Sequence, residues 1–124
     1  MTATNRVVLI GEPDQPTSQL YQRALAAAFE VIAATDEETI LRTLRARPVA
    51  ALVLDPTIFA ANTWERVTDV SRACAERAIP LVVCSTLDER RRGIELGAAA
   101  YLVKPTLPAT LLDTLRQVVE RGGV

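Results

Sequence analysis

Near the middle of the chain stands the run Val49-Ala50-Ala51-Leu52-Val53-Leu54-Asp55-Pro56. Its six apolar residues are too few to span a membrane, and they lack the polar alternation of a half-exposed strand. The run therefore predicts a strand buried on both faces. Because ligands bind at the carboxyl ends of parallel strands in open α/β sheets, Asp55 is placed where chemistry would occur.

Shorter apolar runs on either side alternate with amphipathic segments. The other predicted strands are Arg6–Ile10, Glu30–Ala34, Pro80–Cys84 and Ala100–Val103. This alternation predicts an α/β fold with a three-layer, doubly wound, five-stranded parallel sheet in the flavodoxin-like order 2-1-3-4-5. The first and third strands are neighbours in that order, so Glu12 and Asp55 are expected side by side.

The spacing of apolar residues predicts a helix after each strand. The first runs from Gln15 to Phe29, with Leu20, Ala24, Leu25 and Ala28 on its buried face and Thr17 or Ser18 as its cap. Thr35 is expected to cap the second helix. After a loop over Pro56–Asn62, the third helix should turn Trp64, Val67, Val70 and Cys74 inward. A short charged helix around Asp88–Arg92 and a last helix over Leu107–Glu120 follow.

Composition excludes several classes of function. The chain has 124 residues, no histidine, two cysteines and a net charge of −1. Without histidine, the usual general base and the commonest transition-metal ligand are missing, which argues against most hydrolases. With a net charge of −1, the chain has no overall positive charge that would attract nucleic acid or an anionic membrane. Met1–Arg6 lacks the apolar region of a signal peptide. We expect one cytoplasmic domain over residues 1–124 that binds neither membrane nor, by itself, nucleic acid.

Polar groups stand at four strand ends. They are Glu12 (with Asp14), Asp55, Ser85 and Lys104. Carboxylate oxygens suit Mg²⁺, an ammonium neutralises phosphoryl oxygens, and a hydroxyl donates a hydrogen bond. This combination predicts a phosphoryl-transfer site at which Asp55 is the nucleophile and forms an acyl phosphate.

The segment Gly97-Ala98-Ala99-Ala100-Tyr101-Leu102-Val103-Lys104-Pro105 is similar to the Gly-Ala-x-x-Tyr-Leu-x-Lys-Pro segment of response-regulator receiver domains. Leu52–Asp55 resembles that family's phosphoacceptor strand, and Pro80–Ser85 resembles the strand that ends in its switch Ser or Thr. The resemblance implies that Asp55 accepts phosphate from a kinase phosphohistidine and that Lys104 contacts the phosphoryl group. Ser85 would move towards that group and the Tyr101 rotamer would follow. A cis Lys104–Pro105 bond is also expected.

The resemblance further implies a Mg²⁺ site and signalling partners. The metal ligands would be Glu12, Asp55, the backbone carbonyl of Thr57 and, more weakly, Asp14. Phosphate would come from a histidine kinase or a phosphotransfer protein. A downstream protein would bind the face made by the fourth helix, fifth strand and fifth helix. The chain itself would be a monomer or weak homodimer and not an enzyme.

The family usually has two adjacent acids after the first strand, and here one or both are missing, depending on the register. The pair falls on Gly11 and Glu12 in one register, and on Ile10 and Gly11 in another. This departure keeps open a pseudo-receiver, an interaction module that signals without phosphate. A small flavin- or nucleotide-binding enzyme is a third hypothesis, but it lacks a glycine-rich phosphate loop after the first strand.

Each site residue also has a structural interpretation. Ser85 could cap a helix, Tyr101 could be a half-buried strand aromatic, and Glu12 could be a solvated loop acid. Lys104 could simply pair with Asp55 as a structural ion pair.

Overall fold

The computed structural model describes residues 6–122 and contains a five-stranded parallel sheet in the order β2-β1-β3-β4-β5. Its strands are β1 (Val7–Gly11), β2 (Glu30–Ala34), β3 (Ala51–Leu54), β4 (Leu81–Ser85) and β5 (Ala100–Val103). The predicted fold class and strand order are confirmed. Met1–Asn5, on which the expectation of a cytoplasmic protein partly rests, lie outside the described residues.

Five helices connect and follow the strands. They are α1 (Gln15–Leu25), α2 (Glu37–Ala46), α3 (Thr63–Glu76), α4 (Arg90–Glu95) and α5 (Pro108–Gly122), and a 3₁₀ turn at Pro56–Ile58 interrupts the predicted loop after β3. Among the described residues, no helix is both long enough and apolar enough to cross a bilayer.

Two apolar clusters cover the two faces of the sheet. On one face, α2 and α3 contribute Ile40, Leu44, Val67, Val70 and Cys74 against β1, β3 and β4. On the other face, α1 and α5 contribute Tyr21, Leu25, Leu111, Leu115 and Val118. Each cluster holds one buried free thiol, Cys74 in the first and Cys84 in the second. Burial raises the pKa of the Cys74 thiol to about 11.

The buried face of α1 differs from the prediction. Leu20 is 46% exposed, whereas Ser18, Tyr21 and Leu25 are buried. The hydroxyl of Tyr21 lies 3.5 Å from Cys84 Sγ, and burial raises the pKa of Tyr21. A polar tip on a buried aromatic is tolerated because it has a partner, and this let the helix turn its tyrosine inward instead of its leucine.

The predicted caps of the first two helices were also wrong. Asp14 caps α1 and accepts a hydrogen bond from the amide of Thr17, and Asp36 caps α2 and accepts one from the amide of Thr39. In both cases the aspartate immediately before the first helical residue is the cap: Thr17 and Ser18 already lie within α1, and Thr35 lies one residue too early for α2. Aspartate combines the capping oxygen with a negative charge at the positive end of the helix dipole.

The parallel register brings the strand ends to one rim of the sheet. Gly11 pairs with Leu54, and Leu54 pairs with Val83. Beyond these pairs, the amide of Asp55 donates to Gly11 O at 2.9 Å, and the amide of Lys104 donates to Ser85 O at 2.7 Å. The residues that follow β1, β3 and β5 therefore start from fixed backbone positions at the same rim.

Candidate functional site

Three charged side chains from three strand ends form one contact group, which we call the strand-end cluster: Glu12, Asp55 and Lys104. Lys104 Nζ donates to Glu12 Oε1 at 2.6 Å and to Asp55 Oδ2 at 2.7 Å. The side chains of Glu12 and Asp55 are only 3% and 5% exposed, and that of Lys104 is 13% exposed. The expected ion pair between Lys104 and Asp55 is present, and it extends to Glu12.

The protonation of Lys104 follows from two opposing effects. Burial alone would lower the pKa of Lys104, but the hydrogen bonds and charges of Asp55 and Glu12 outweigh it and raise the pKa above its ordinary value. The ammonium is therefore charged at neutral pH and neutralises part of the charge of the two acids. The Lys104–Pro105 peptide bond is cis, as the resemblance implied.

Glu12 is a buried ion-pair partner of the Lys104 ammonium rather than a solvated loop acid. Its other oxygen, Oε2, accepts from the amide of Asp14 at 3.1 Å. Gly11, the preceding residue, lies against the apolar cluster of α2. A Cβ added to Gly11 would lie 2.7 Å from Ile40 Cδ1 and 3.1 Å from Leu54 Cδ1. Ile40 thus fills the space into which a side chain at residue 11 would point.

Asp55 has a further partner that the sequence analysis missed. Its Oδ1 accepts from the Thr57 amide and from the Thr57 hydroxyl, both at 2.8 Å. Asp55 thereby caps the 3₁₀ turn over Pro56–Ile58. The spacing Asp-Pro-Thr could have revealed this contact, because an aspartate often accepts hydrogen bonds from the residue two positions later.

Asp14, the weakest of the predicted metal ligands, is occupied at the start of α1. Its Oδ2 accepts from both the amide and the hydroxyl of Thr17. These hydrogen bonds, the hydroxyl first, hold the pKa of Asp14 below its ordinary value. Asp14 is exposed, whereas Glu12 and Asp55 are buried.

Ser85 is the last residue of β4 and is fully buried. Its hydroxyl accepts from the amide of Leu87 at 3.1 Å. The structure does not use Ser85 as a helix cap, because α4 begins at Arg90 and Glu89 is the residue before it. The hydroxyl instead shapes the loop between β4 and α4.

Tyr101 is turned inward and holds the same loop. Its hydroxyl donates to Leu87 O at 2.6 Å and accepts from the amide of Glu89 at 3.3 Å. Gly93 of α4 lies flat against the ring, since a Cβ there would come within 2.5 Å of Tyr101 Cδ2. Glycine at residue 93 lets the short helix approach the aromatic ring this closely.

A second aromatic contact reaches α4 from the start of α3. The guanidinium carbon of Arg92 lies 5.1 Å from the centroid of the Trp64 ring, which is the geometry of a cation–π interaction. Trp64 was predicted to point inward; it packs against the first apolar cluster but is only half-buried. The pair escaped sequence analysis because the charge run at Asp88–Arg92 resembled an ordinary solvated face. We call Trp64, Arg92, Gly93 and Tyr101 the α4 bracket.

The strand-end cluster suits Mg²⁺ only as part of a larger ligand set. Within residues 6–122, no three acidic, thiol or imidazole side chains gather closely enough to hold a metal. Mg²⁺ nevertheless binds through one or two carboxylates together with water and phosphate oxygens. Glu12 and Asp55 fit that role, because both direct a carboxylate oxygen at one cationic atom.

The chain is similar to response regulators. It is 30% identical over 118 residues to the probable transcriptional regulatory protein SilR of Salmonella typhimurium, covering 94% of this chain and 52% of that protein. It is 28% identical over 121 residues to the transcriptional regulatory protein PrrA of Mycobacterium tuberculosis, covering 95% and 51%. The chain thus spans about half the length of the curated relatives it matches. No protein-family model matches it.

The fold agrees with that of solved response regulators. A chemotaxis response regulator of Vibrio cholerae superposes with a TM-score of 0.80 at 26% identity, over 93% of this chain and 99% of that one. The chain combines this strand order with a cis Lys104–Pro105 bond directly after β5 and a buried Asp55 directly after β3. Sequence similarity and fold together identify the chain as a response-regulator receiver domain of the two-component type.

Proposed function

We propose that the chain is a single receiver-like domain that accepts a phosphoryl group on Asp55 and thereby changes its affinity for a partner. One observation carries this proposal: Asp55 follows β3, is 4% exposed, and bonds a lysine ammonium that belongs to a different strand end. A carboxylate held beside a fixed cation at the rim of a parallel sheet is suited to attack phosphorus.

The chemistry follows from the contacts of the cluster. An oxygen of Asp55 forms the bond to phosphorus while the bond from phosphorus to a donor histidine nitrogen breaks. Lys104 is already in place to neutralise charge on the phosphoryl oxygens. Bound Mg²⁺ would supply additional positive charge there, and Glu12, Asp55 and the backbone carbonyl of Thr57 would hold it. The donor would be a histidine kinase or phosphotransfer protein in the cytoplasm.

The response would reach a partner through the α4 bracket. Ser85 ends β4 next to the rim and fixes the amide of Leu87, and Leu87 O accepts the Tyr101 hydroxyl. A movement of the Ser85 hydroxyl towards a phosphoryl group would release that loop, and Tyr101 and α4 would shift with it. Leu87 and Ile94 are 52% and 51% exposed around α4, which suits a binding face made by α4, β5 and α5.

The test uses acetyl phosphate and Mg²⁺ with intact-mass detection. One phosphoryl group should appear on the wild-type chain and on Asp14→Asn, and none on Asp55→Asn. Asp14 is the matched control because it also accepts two hydrogen bonds from a threonine but lies outside the strand-end cluster. Absence of phosphate on the wild-type chain, with acetyl phosphate and with phosphorylated histidine donors, would refute the proposal.

The pseudo-receiver remains a second candidate because of one specific observation. Ile40 occupies the space beside Gly11 where a second acid would stand, and Lys104 already partly neutralises Glu12 and Asp55 without a metal. A chain of this kind would bind its partner equally well as wild type and as Asp55→Asn. Equal partner affinity, together with absent phosphorylation, would favour this candidate.

A further inference from the structure

A cavity of about 340 Å³ lies between α3 and the turn that joins α4 to β5, and it shares no lining residue with the strand-end cluster. We propose that this cavity binds a free α-amino acid with a branched apolar side chain, for which L-leucine is the probe. The inference goes beyond the proposed phosphoryl transfer and does not depend on it.

The cavity exists because α4 is much shorter than α3. The Ser71 hydroxyl of α3 donates to Leu96 O at 2.5 Å, directly after the end of α4, whereas α3 continues to Glu76. Gly97 follows with a φ of +105° and has no side chain to fill the gap, since a Cβ there would lie 3.1 Å from Ser71 Oγ. The last turn of α3 therefore has an uncovered flank, and the cavity lies against it.

The inner wall of the cavity suits hydrocarbon. Ile79 and Leu81 form part of it and are 7% and 2% exposed. The polar groups beside them already have partners: the Ser71 hydroxyl bonds Leu96 O, and the amide of Gly97 donates to Ile94 O at 3.0 Å. The volume lies at the small end of the range for ligand pockets, about 300–1,000 Å³, so a single short apolar side chain fits better than a cofactor.

Two opposite charges line the same cavity, Arg72 from α3 and Glu95 from the end of α4. Within residues 6–122, no ion pair joins them directly. Arg72 instead lies 3.8 Å from Asp69, and Glu95 lies 4.0 Å from Arg91, with both side chains of each pair more than 60% exposed. Long, exposed pairs of this kind contribute little, so both charges are available to bind a ligand placed between them.

The arrangement of charges and wall selects the ligand. A carboxylate matches the planar guanidinium of Arg72, and an ammonium matches the carboxylate of Glu95. An α-amino acid carries both groups on one carbon, and an apolar side chain on that carbon can face Ile79 and Leu81. A fatty acid lacks the ammonium, and an internal peptide segment lacks both charges. The bound molecule would rest against the end of α4 and so help to fix the α4 bracket in place.

The test is an NMR titration of the chain with L-leucine in the absence of any phosphoryl donor. The amides of Leu96 and Gly97 should shift and saturate, with a dissociation constant of about 0.1–1 mM because the ligand is small. L-Leucinamide lacks the carboxylate, isocaproate lacks the ammonium, and glycine lacks the side chain. Each should bind at least about 3-fold more weakly than L-leucine.

Two charge variants assign the ends of the ligand. Arg72→Gln should weaken L-leucine about 3- to 5-fold and leave the affinity for L-leucinamide unchanged, since that ligand has no carboxylate to lose. Glu95→Gln should weaken L-leucine and leave isocaproate unchanged. Arg42→Gln is the matched control, because Arg42 forms a similarly long, exposed pair with Glu38 at 3.9 Å on α2. It should bind L-leucine like the wild type.

Ala75→Phe tests the cavity itself, because Ala75 is exposed, lines the cavity and can carry a ring that fills it. This variant should lose L-leucine binding. Equal wild-type affinities for L-leucine and L-leucinamide, or no saturable shift at Leu96 and Gly97, would overturn the inference. Phosphorylation of Asp55 is measured separately by intact mass, so failure of the proposed function and failure of this inference are distinguishable.

Discussion

The strand-end cluster and the α4 bracket are held together by different forces. In the cluster, Lys104 joins two carboxylates that are each at most 5% exposed, at distances below 2.8 Å. In the bracket, the Arg92 guanidinium, whose side chain is 54% exposed, lies over the Trp64 ring. Gly93 packs closely against the Tyr101 ring because it has no side chain. Removing one charge from a buried ion pair is far more costly than losing an exposed cation–π contact.

This difference indicates which part of the domain can move. A binding event worth a few kcal/mol can rearrange the bracket without unfolding the chain, whereas separating Lys104 from the two buried carboxylates would cost more. Phosphoryl transfer would change charge in the cluster, and the response would appear in the bracket. The following variants test that division, beginning with the largest expected effect.

Lys104→Met should cause the largest loss of stability. It leaves Glu12 and Asp55 buried without their countercharge, which typically costs about 3–5 kcal/mol in the free energy of unfolding. Urea denaturation at pH 7 measures this loss. Arg47→Met is the control, because its ion pair with Glu30 is 2.8 Å long but more than 40% exposed on both sides, and it should cost about 0–1 kcal/mol.

The same ion pairs predict an alkaline pH dependence. The pKa of Lys104 is raised above 10.5 by folding, so its contribution is complete below pH 10.5 and is lost as the pH rises through the higher folded value. The difference in stability between wild type and Lys104→Met should therefore shrink above pH 10.5. A difference that stays constant there would contradict the assigned role of the ammonium.

Gly11→Asp, which restores the missing acid, should destabilise the edge of the cluster. Its Cβ would overlap Ile40 Cδ1, and overpacking of this kind costs about 1–3 kcal/mol before any cost of burying the carboxylate. Ile40→Val deletes that Cδ1 atom. A double-mutant cycle in urea should show that Ile40→Val recovers part of the loss, and Gly11→Ala separates crowding from charge. Strictly additive effects would show that Ile40 does not occupy the position of the second acid.

Gly93→Ala should displace Tyr101 at a net cost of about 1 kcal/mol, because crowding against the ring is partly offset by the better helix propensity of alanine. The chain has two tyrosines, so NMR can follow the Tyr101 ring and the amide of Glu89 separately. Ile94→Ala, on the exposed face of the same helix, should leave both signals in place. An unmoved Tyr101 ring in Gly93→Ala would show that α4 moves instead.

Arg92→Gln should have the smallest effect, about 0.5–1 kcal/mol, because it removes one exposed cation–π contact with Trp64 and one exposed ion pair with Glu89 at 3.0 Å. Trp64 is the single tryptophan, so its fluorescence reports the change directly. Arg91→Gln is the adjacent control, as Arg91 is 93% exposed and bonds only within its own helix at 4.0 Å. Equal spectra for the two variants would remove Trp64 from the bracket.

The sheet and the meeting of its strand ends were predictable from sequence. Unbroken apolar runs such as Leu52–Leu54 identify buried strands, and parallel topology then forces Asp55 and Lys104 to the same rim. The short α4 was likewise expected from the few residues between Ser85 and Gly97. These inferences depend on the spacing of apolar residues and on the order of strands and helices along the chain, and both can be read directly from the sequence.

Details that depend on side-chain competition were not predictable. Leu20 and Tyr21 lie on alternative faces of α1, and it is Tyr21 that packs into the second apolar cluster, with its hydroxyl 3.5 Å from Cys84 Sγ. The contact between Arg92 and Trp64 depends on how α4 lies relative to the start of α3. The filling of the space at Gly11 by Ile40 joins residues from separate elements, and no local pattern encodes it.

Cys74 and Cys84 lie on opposite faces of the sheet, so the alkylation rate of each thiol reports the opening of one helical layer. Both thiols are shielded from alkylating reagents until their own layer opens. Pulsed alkylation followed by peptide mass analysis would therefore time the detachment of α3 separately from that of α1 and α5. If phosphate on Asp55 loosens the side of the sheet that carries Tyr101, Cys74 will be alkylated faster while the alkylation rate of Cys84 stays the same.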